Sequence, residues 1–430
     1  MSITAIAVFA IFFLGLILAF AVHPIFAIFS YLWIFYNHPP AFWWGVDVPE
    51  LRYSLIAAMV ALVSSFRLKD KPLTPWSENW GARLLILYAA WMWCQSPWAI
   101  NPDAHLEGAI LWTKYLILHY IIFRVVANTH RIEMFLWAHV VGCFLLGWVA
   151  YTTISNGRLE SVGGPGVDDS NLLAAHLITS VAAAGFMFLG LKGYRRWVAL
   201  GCLPFILNAI ILTQSRGGLL ALVASGFVAW YLAPKVHQRS VTLSIATGAF
   251  LFLFLSNADF WARISTIYGS DANPAEEVRA GLIGPQFRMF IDHPLGAGHR
   301  GNEFLSIQYM PTELLAGNSG RRSAHNTFMA VLVDQGVPGA TILIALYFWV
   351  GVTLIKQKIL DAHGLPPIMG TYRAILGTAL FSCFVSGLFL NLLKSEVQIW
   401  LLALLASLSV LANHEIERKQ DETAQQVPNT

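Results

Sequence analysis

Charge is scarce in this chain. Of its 430 residues, 27 are Lys or Arg and 24 are Asp or Glu, together 12%. Soluble domains carry roughly 25%. The formal net charge is only +3, which lacks the basic footprint of a nucleic-acid binder. Cysteine is scarce too. Cys94, Cys143, Cys202 and Cys383 all stand in apolar runs without metal-ligand spacing, and read as small core residues. No HxxxH, DxD or carboxylate cluster offers a metal or nucleotide-sugar site, and no Gly-rich stretch forms a P-loop. The N-terminal stretch has neither a basic segment nor a clear cleavage site, so the first apolar run is expected to be retained.

What is present is apolar. Hydrophobic residues make up 57% of the chain, and mean hydropathy is +0.60. Runs long enough to span a bilayer recur along almost the whole length. The alternation that membrane strands need is absent, so helices are the spanning elements. The expected fold is an all-α polytopic membrane protein. Its apolar runs are 3–22, 24–37, 51–66, 81–100, 110–127, 132–154, 170–191, 195–213, 217–234, 240–256, 325–355, 370–391 and 395–412. The run 24–37 is short and begins at His23-Pro24, so it reads as re-entrant or interfacial. That leaves about twelve transmembrane helices. If all thirteen runs cross, the N-terminus lies outside; with twelve it lies inside.

The chain divides into N-terminal transmembrane helices (1–165), transmembrane helices with a Ser-Arg-Gly-Gly motif (166–256), a large loop region with short helices (257–324), C-terminal transmembrane helices (325–412) and a tail (413–430). Lys and Arg in the short loops orient it. One set of loops holds sixteen, from Arg67 to Lys419. The other holds Arg52, Lys114, Arg158, Arg216 and Lys394, with the large loop set aside. The tail is therefore expected in the cytoplasm and residues 257–324 outside it. Gly336-Val337-Pro338-Gly339 predicts a kink in the run 325–355.

Four outer places hold unusual polar residues. Gln214-Ser215-Arg216-Gly217-Gly218 joins a helix start to an arginine, which makes an anion site. Its alternative is a tight turn with a snorkelling arginine. The large loop holds six arginines (Arg263, Arg279, Arg288, Arg300, Arg321 and Arg322) against seven acids, and no lysine. Nearly neutral overall, it binds anions only by local placement. Arginine suits bidentate phosphate binding, and structural ion pairing is the alternative for each. Arg279 and Arg288 would stand about 180° apart on one unbroken helix. Gly281, Gly284 and Pro285 argue against such a helix; Pro285 suits the first turn of one running to about Asp292. Arg279 would then occupy a separate segment, free to converge with Arg288.

The third place is Ser323-Ala324-His325-Asn326. Ser323 reads as an N-cap, which puts His325 in the first turn of a helix. The positive helix end disfavours imidazolium and keeps the ring able to accept a proton. A hydroxyl acceptor loses its proton as it attacks, and neutral imidazole is the usual base. The alternative is an interfacial histidine bonded to a loop carbonyl. His293 and His299 are weaker candidates, placed in turns. The fourth place, Asp168-Asp169-Ser170-Asn171, is explained by helix capping or by a substrate-ordering role.

In this order the motifs resemble the O-antigen ligase superfamily, which includes O-antigen polymerases and pilin O-oligosaccharyltransferases. Asp168 to Ala174 looks like its Asp-Pro-Asn-x-x-Ala region, with Ser170 in place of Pro. Thr213 to Gly218 is similar to its Ser-Arg-Gly-Gly motif. Arg279 through Asp292-His293-Pro294-Leu295-Gly296-Ala297-Gly298 resembles its Arg…Pro-Leu-x-Gly-x-Gly stretch. Ser323 to Asn326, followed by Gly336 to Gly339, looks like its closing His-Asn…Gly-x-x-Gly block. The match covers roughly 165–345. A tryptophan that the family often places after the loop arginine is absent, and Ile283 stands near its place. The N-terminal third, with Trp43-Trp44 in an outer loop, resembles ligases found beside exosortase systems.

The resemblance implies a metal-independent, inverting glycosyltransferase of the bacterial inner membrane, with its site facing the periplasm and no cofactor. The donor would be a glycan on undecaprenyl diphosphate, and the acceptor a sugar hydroxyl of lipid A–core. An O-antigen polymerase and a protein O-glycosyl ligase share this chemistry and differ in acceptor. His325 would act as base. Arg216 and Arg288 would hold the diphosphate, with Arg279 a further candidate; Arg300 and Asn326 complete the expected substrate-binding set. Membrane lipids are the other partners, nucleic acid is not one, and a monomer is expected. A lipid or polysaccharide transporter is the reading from another class. It predicts mid-membrane charges and repeated halves, whereas charges here cluster at the ends of runs and no internal repeat is evident.

Overall fold

The computed structural model describes the chain except residues 1, 47, 70–71, 154–157, 160–161, 257–260, 262–273, 316–319 and 426–430. The protein is all-helical, and no strand occurs among the described residues. Fifteen α-helices are described. The first ten are α1 (Ile3–Ala21), α2 (Ile25–Tyr36), α3 (Tyr53–Ser65), α4 (Trp80–Cys94), α5 (Pro102–Val125), α6 (Thr129–Thr153), α7 (Ser170–Gly190), α8 (Tyr194–Leu212), α9 (Arg216–Leu232) and α10 (Gln238–Leu255). Then come α11 (Pro274–Asp292), α12 (Gly301–Tyr309), α13 (Thr327–Leu360), α14 (Pro367–Gly387) and α15 (Glu396–Gln425).

Each of the thirteen apolar runs is a helix. Eight helices are long and apolar enough to cross a membrane: α1, α5, α6, α7, α8, α13, α14 and α15. Shorter apolar helices include α3 and α9. This is a multi-pass membrane protein.

Helix α2 rises roughly 18 Å, and nine of its twelve residues are buried. It is therefore packed among the other helices, too short for one of the eight long apolar spans. It runs antiparallel to α1: Ser30 Oγ donates to Phe12 O (2.9 Å) and Trp33 Nε1 to Val8 O (3.0 Å). At the far end of α1, Phe20 O accepts from Arg67, just past α3. Leu68 O accepts from Arg124 at the end of α5. Helices α1, α3 and α5 thus end on one face. At its other end, α5 begins beside the large loop region, where Ile100 N–H donates to Ala297 O (2.9 Å). The start of α1 therefore shares a face with residues 274–326. The tail end of α15 lies away from that region, and Lys419 there donates to Gly364 O.

Near that tail end, Arg373 is fully buried. Its guanidinium bonds both oxygens of Asp361 (2.6 and 2.7 Å), Gln357 O and Leu232 O, joining α9, α13 and α14. Of the cysteines, Cys143, Cys202 and Cys383 are buried as expected, but Cys94 is exposed at the end of α4.

Helix α13 is broken by Gly336 (φ 65°, ψ −165°), where the kink was expected. A Cβ there would fall 2.4 Å from Pro294 O and Gly296 N. The break lets Val337 N–H reach Pro294 O, while Ala297 N–H and Gly298 N–H reach Val333 O and Asp334 O. The segment 294–298 is thus pinned to the kink.

Helix α11 corrects one expectation. It runs unbroken through Pro285. Proline costs a hydrogen bond in a helix interior. Packing offsets this: Leu282 and Met289 are buried against Leu305, Met310 and Val333. Positions 279 and 288 therefore share one helix, about half a turn apart, and no chain break brings them together. Arg263, Asp259 and Asp271 lie outside the described residues, as does the side chain of Arg279.

Candidate active site

His325 does not sit in the first turn of a helix. Helix α13 starts at Thr327, and its N-cap is Asn326, not Ser323. Asn326 Oδ1 accepts from Phe328 N–H (2.9 Å) and Met329 N–H (3.0 Å), and Asn326 Nδ2 donates to Leu388 O (2.9 Å). That second anchor, from a distant connection, fixes the cap three residues later than the sequence suggested. His325 precedes the cap in a left-handed conformation, φ 46°. It is half-buried.

The segment leading to His325 is held by α12. Arg322 N–H donates to Ser306 Oγ (3.0 Å) and Ala324 N–H to Asn302 Oδ1 (3.0 Å). Asn302 is in turn held by Asp334, whose Oδ1 accepts from Asn302 N–H (2.7 Å) and Nδ2 (2.8 Å). Asp334 Oδ2 accepts from Arg300 N–H (3.0 Å). All three donors are satisfied by one buried carboxylate in α13. A buried acid without such donors would be strongly disfavoured.

The Arg216 turn is built similarly. Ser215 caps α9 by accepting from Gly218 N–H (3.1 Å). Arg158 Nε donates to Thr213 O (2.9 Å) and its Nη2 to Asn171 Oδ1 (3.1 Å). Asn171 belongs to the fourth motif, where Asp169 caps α7 by accepting from Asn171 N–H and Leu172 N–H. Capping thus accounts for Asp169. Gly217 lets Phe389 approach: a Cβ there would lie 3.1 Å from Phe389 Cβ.

Phe389 brings the two parts together. It lies in the connection 388–395 between α14 and α15. Leu388 O accepts from Asn326 Nδ2. Thr327 Oγ1 donates to Leu390 O (2.7 Å) and accepts from Leu392 N–H (2.9 Å). One connection therefore carries the Arg216 turn on one side and the His325 segment on the other.

Backbone strain marks the same places. Among the described residues, the non-glycine residues with positive φ are Gln214 (48°), Arg300 (60°) and His325 (46°). Left-handed backbone costs an L-residue on the order of 1–2 kcal/mol. Such strain persists where surroundings over-determine it, and it clusters at functional sites.

The loop arginines separate. Arg288 is exposed on α11 with no hydrogen bond or ion pair among the described residues. Arg300 is committed to Glu303, with Nε and Nη2 2.8 and 2.7 Å from Oε2. Arg321 lies over the Phe304 ring, 4.3 Å from its centroid. Arg322 is half-buried, and its Nε is buried without a partner. His293 stays in its turn, its carbonyl accepting from Gly296 N–H (2.8 Å). His299 is buried, its N–H donating to His105 Nδ1 (3.0 Å). Burial pushes its pKa down to about 4, aided by the nearby positive charges of Lys394 and Arg300. It is a neutral packing residue at ordinary pH.

Residues 201–344 match the family model described as O-antigen ligase. That stretch is similar to the O-antigen ligase family. No curated protein matches the chain. The superfamily stretch opens in α8 and ends in α13 just past the kink, so it contains Arg216, Arg288, Asn302, His325 and Asp334. Arg158, Asn171 and the connection 388–395 fall outside it, yet they hold its two key turns. The match supports an enzyme of the ligase or polymerase type. Asn302, Asp334 and the 388–395 connection escaped sequence reading, and Arg158 was read only as an outer-loop cation. One signal was available: Asp334 is an acid within an apolar run, and intramembrane ionisable residues are functional by default.

Proposed function

We propose that this protein is an O-antigen ligase that transfers a glycan from undecaprenyl diphosphate to a sugar hydroxyl of lipid A–core, at the periplasmic face of the bacterial inner membrane. The transfer step requires no metal and inverts the anomeric centre. The acceptor oxygen attacks the anomeric carbon opposite the diphosphate as the bond from that carbon to the phosphate oxygen breaks. The acceptor proton passes to the His325 imidazole, and the diphosphate leaves with the bonding pair. Arg216 and Arg288 bind that leaving charge, with Arg279 a further contributor. Preorganised donors aimed at developing charge are usually the largest catalytic contribution. Arg300 and Asn326 act one step back, shaping the site through Glu303 and the α13 cap.

The observation that supports this reading best is the attachment of the Arg216 turn and the His325 segment to one connection. A small, mostly apolar cavity lined by Thr327, Leu343, Leu346, Leu392 and Leu393 adjoins the same connection. The loop charge count favours the periplasmic side for this face.

The test uses purified protein, lipid-diphosphate-linked glycan and lipid A–core. His325→Ala should lower transfer by roughly 10²–10⁴-fold while donor binding persists; normal turnover would refute the base assignment. Arg216→Lys should weaken donor binding, because lysine cannot form the bidentate fork. Swapping the acceptor for a lipid-linked glycan or a pilin-type protein, with donor fixed, separates ligase from polymerase and from protein glycosylation.

A further inference from the structure

Inside the helical core, four side chains of types that can bind a metal meet. His139 and Cys143 lie one turn apart on α6, His176 lies on α7 and Tyr36 ends α2. All four are at most 2% exposed. The ligand atoms of His139, Cys143 and His176 all lie within 4.8 Å of one another. The Tyr36 hydroxyl sits among them, 2.6 Å from His139 Nδ1, 2.9 Å from His176 Nε2 and 3.7 Å from Cys143 Sγ. Cys143 Sγ is 4.0 Å from His139 Nδ1.

The surroundings aim these atoms inward. Thr179 Oγ1 gives its one proton to His176 O (2.6 Å). Toward His139 Nε2, 2.9 Å away, it can only accept. Nε2 of His139 therefore carries the hydrogen, and Nδ1 presents its lone pair to the centre of the group. A metal-bound histidine is held in just this manner by an outer acceptor. Gly142 makes room for the tyrosine: a Cβ there would fall 2.0 Å from Tyr36 Cδ2. Phe35 and Trp400 wall the group with their rings, 5.6 and 5.9 Å from that of His176.

We propose that His139, Cys143, His176 and Tyr36 bind one divalent transition-metal ion of the zinc class. Two imidazoles, a thiolate and a phenolate form a closed four-ligand set of N, S and O donors, which suits a structural zinc site. Tetrahedral bonding at ordinary zinc distances separates ligand atoms by about 3.3–3.6 Å. The four spacings given above need to change by less than an ångström, and the remaining ones, within 4.8 Å, by at most about 1.5 Å. Binding releases the thiol and phenol protons to solvent. The two negative ligands then cancel the ion's charge, so the bound group is neutral, as an apolar interior requires. With four protein ligands, no position stays open for substrate. The ion would pin α2, α6 and α7 together and take no part in transfer.

The test is metal content and cobalt spectroscopy on the full chain in detergent. Protein from zinc-supplied cells should carry about one ion per chain, and Cys143→Ala should lose it while still eluting as a single species. Cobalt exchange should give a thiolate-to-metal charge-transfer band. A variant with Cys94, Cys202 and Cys383 all changed to Ala leaves Cys143 as the only thiol and should keep that band, which makes the test independent of how Cys143→Ala folds. A folded wild type with neither zinc nor a cobalt band would overturn the proposal, and identify the quartet as a hydrogen-bonded helix contact. A folded Cys143→Ala that retains its ion would also overturn it.

Discussion

Asn302 gives both its backbone N–H and its Nδ2 to one oxygen of Asp334, leaving its Oδ1 to receive Ala324 N–H. The residue next to His325 is therefore fixed to a carboxylate inside α13. Asn302→Ala keeps Asp334 in place but frees the segment before His325. Transfer should fall by about tenfold to a hundredfold, the scale of loss from a misplacement near 1 Å. The loss should appear in kcat, with donor KM close to wild type. A wild-type kcat in a folded variant would show that Asn302 does not place His325.

Arg158 plays the matching part for the other turn. It bonds Thr213 O and Asn171 Oδ1 with two arms of one guanidinium. Arg158→Ala should weaken donor binding by about tenfold, as expected for losing hydrogen bonds to a charged group. Arg158→Lys should restore little, because an ammonium cannot span both acceptors. Donor titration checks this; unchanged affinity in Arg158→Ala would detach the residue from Arg216.

The fold was legible where apolar runs were long, because a bilayer-length run in a chain with so few charges has few alternatives. The site was legible as motifs but not as a geometry. Ser323 and Asn326 are both good caps, and local sequence does not rank them. Leu388 does, from 62 residues away. Asn302 and Asp334 are 32 residues apart and meet only once 294–298 has docked on the Gly336 kink. Helix α11 was misread because Pro285 and two glycines signal a break locally, whereas packing of Leu282 and Met289 decides. His139 and Cys143 were passed over because their partners, His176 and Tyr36, belong to other helices.

Acid should destabilise the protein through His299. Its folded pKa is depressed to about 4 by burial, below the usual value of 6.5. A depressed pKa means the unfolded chain binds the proton more readily. The stabilisation is complete above pH 6.5 and is lost as pH falls toward 4. It amounts to at most about 3 kcal/mol. Thermal unfolding in detergent across that window should show a falling midpoint, and His299→Gln should flatten the fall. An identical slope in the variant would assign the effect elsewhere.

Gly336→Ala should be severely destabilising. Its backbone lies in a region that is essentially glycine's alone, and the added methyl would meet Pro294 O and Gly296 N. A loss of several kcal/mol is expected, seen as a lower melting temperature together with lost transfer, since 294–298 would leave the kink. Gly351, whose Cβ would meet nothing within 4 Å, is the matched control and should tolerate alanine.

Thirteen is an odd number, and that has a practical consequence for anyone tracking this protein in cells. If all thirteen helices cross, a fluorescent or enzymatic reporter joined ahead of Ile3 shares an aqueous compartment with His325, whereas one joined behind the tail is separated from both by the bilayer. Reporters that mature on only one side of the membrane then light up at one end of the chain and stay dark at the other, and twelve crossings would give both ends the same signal.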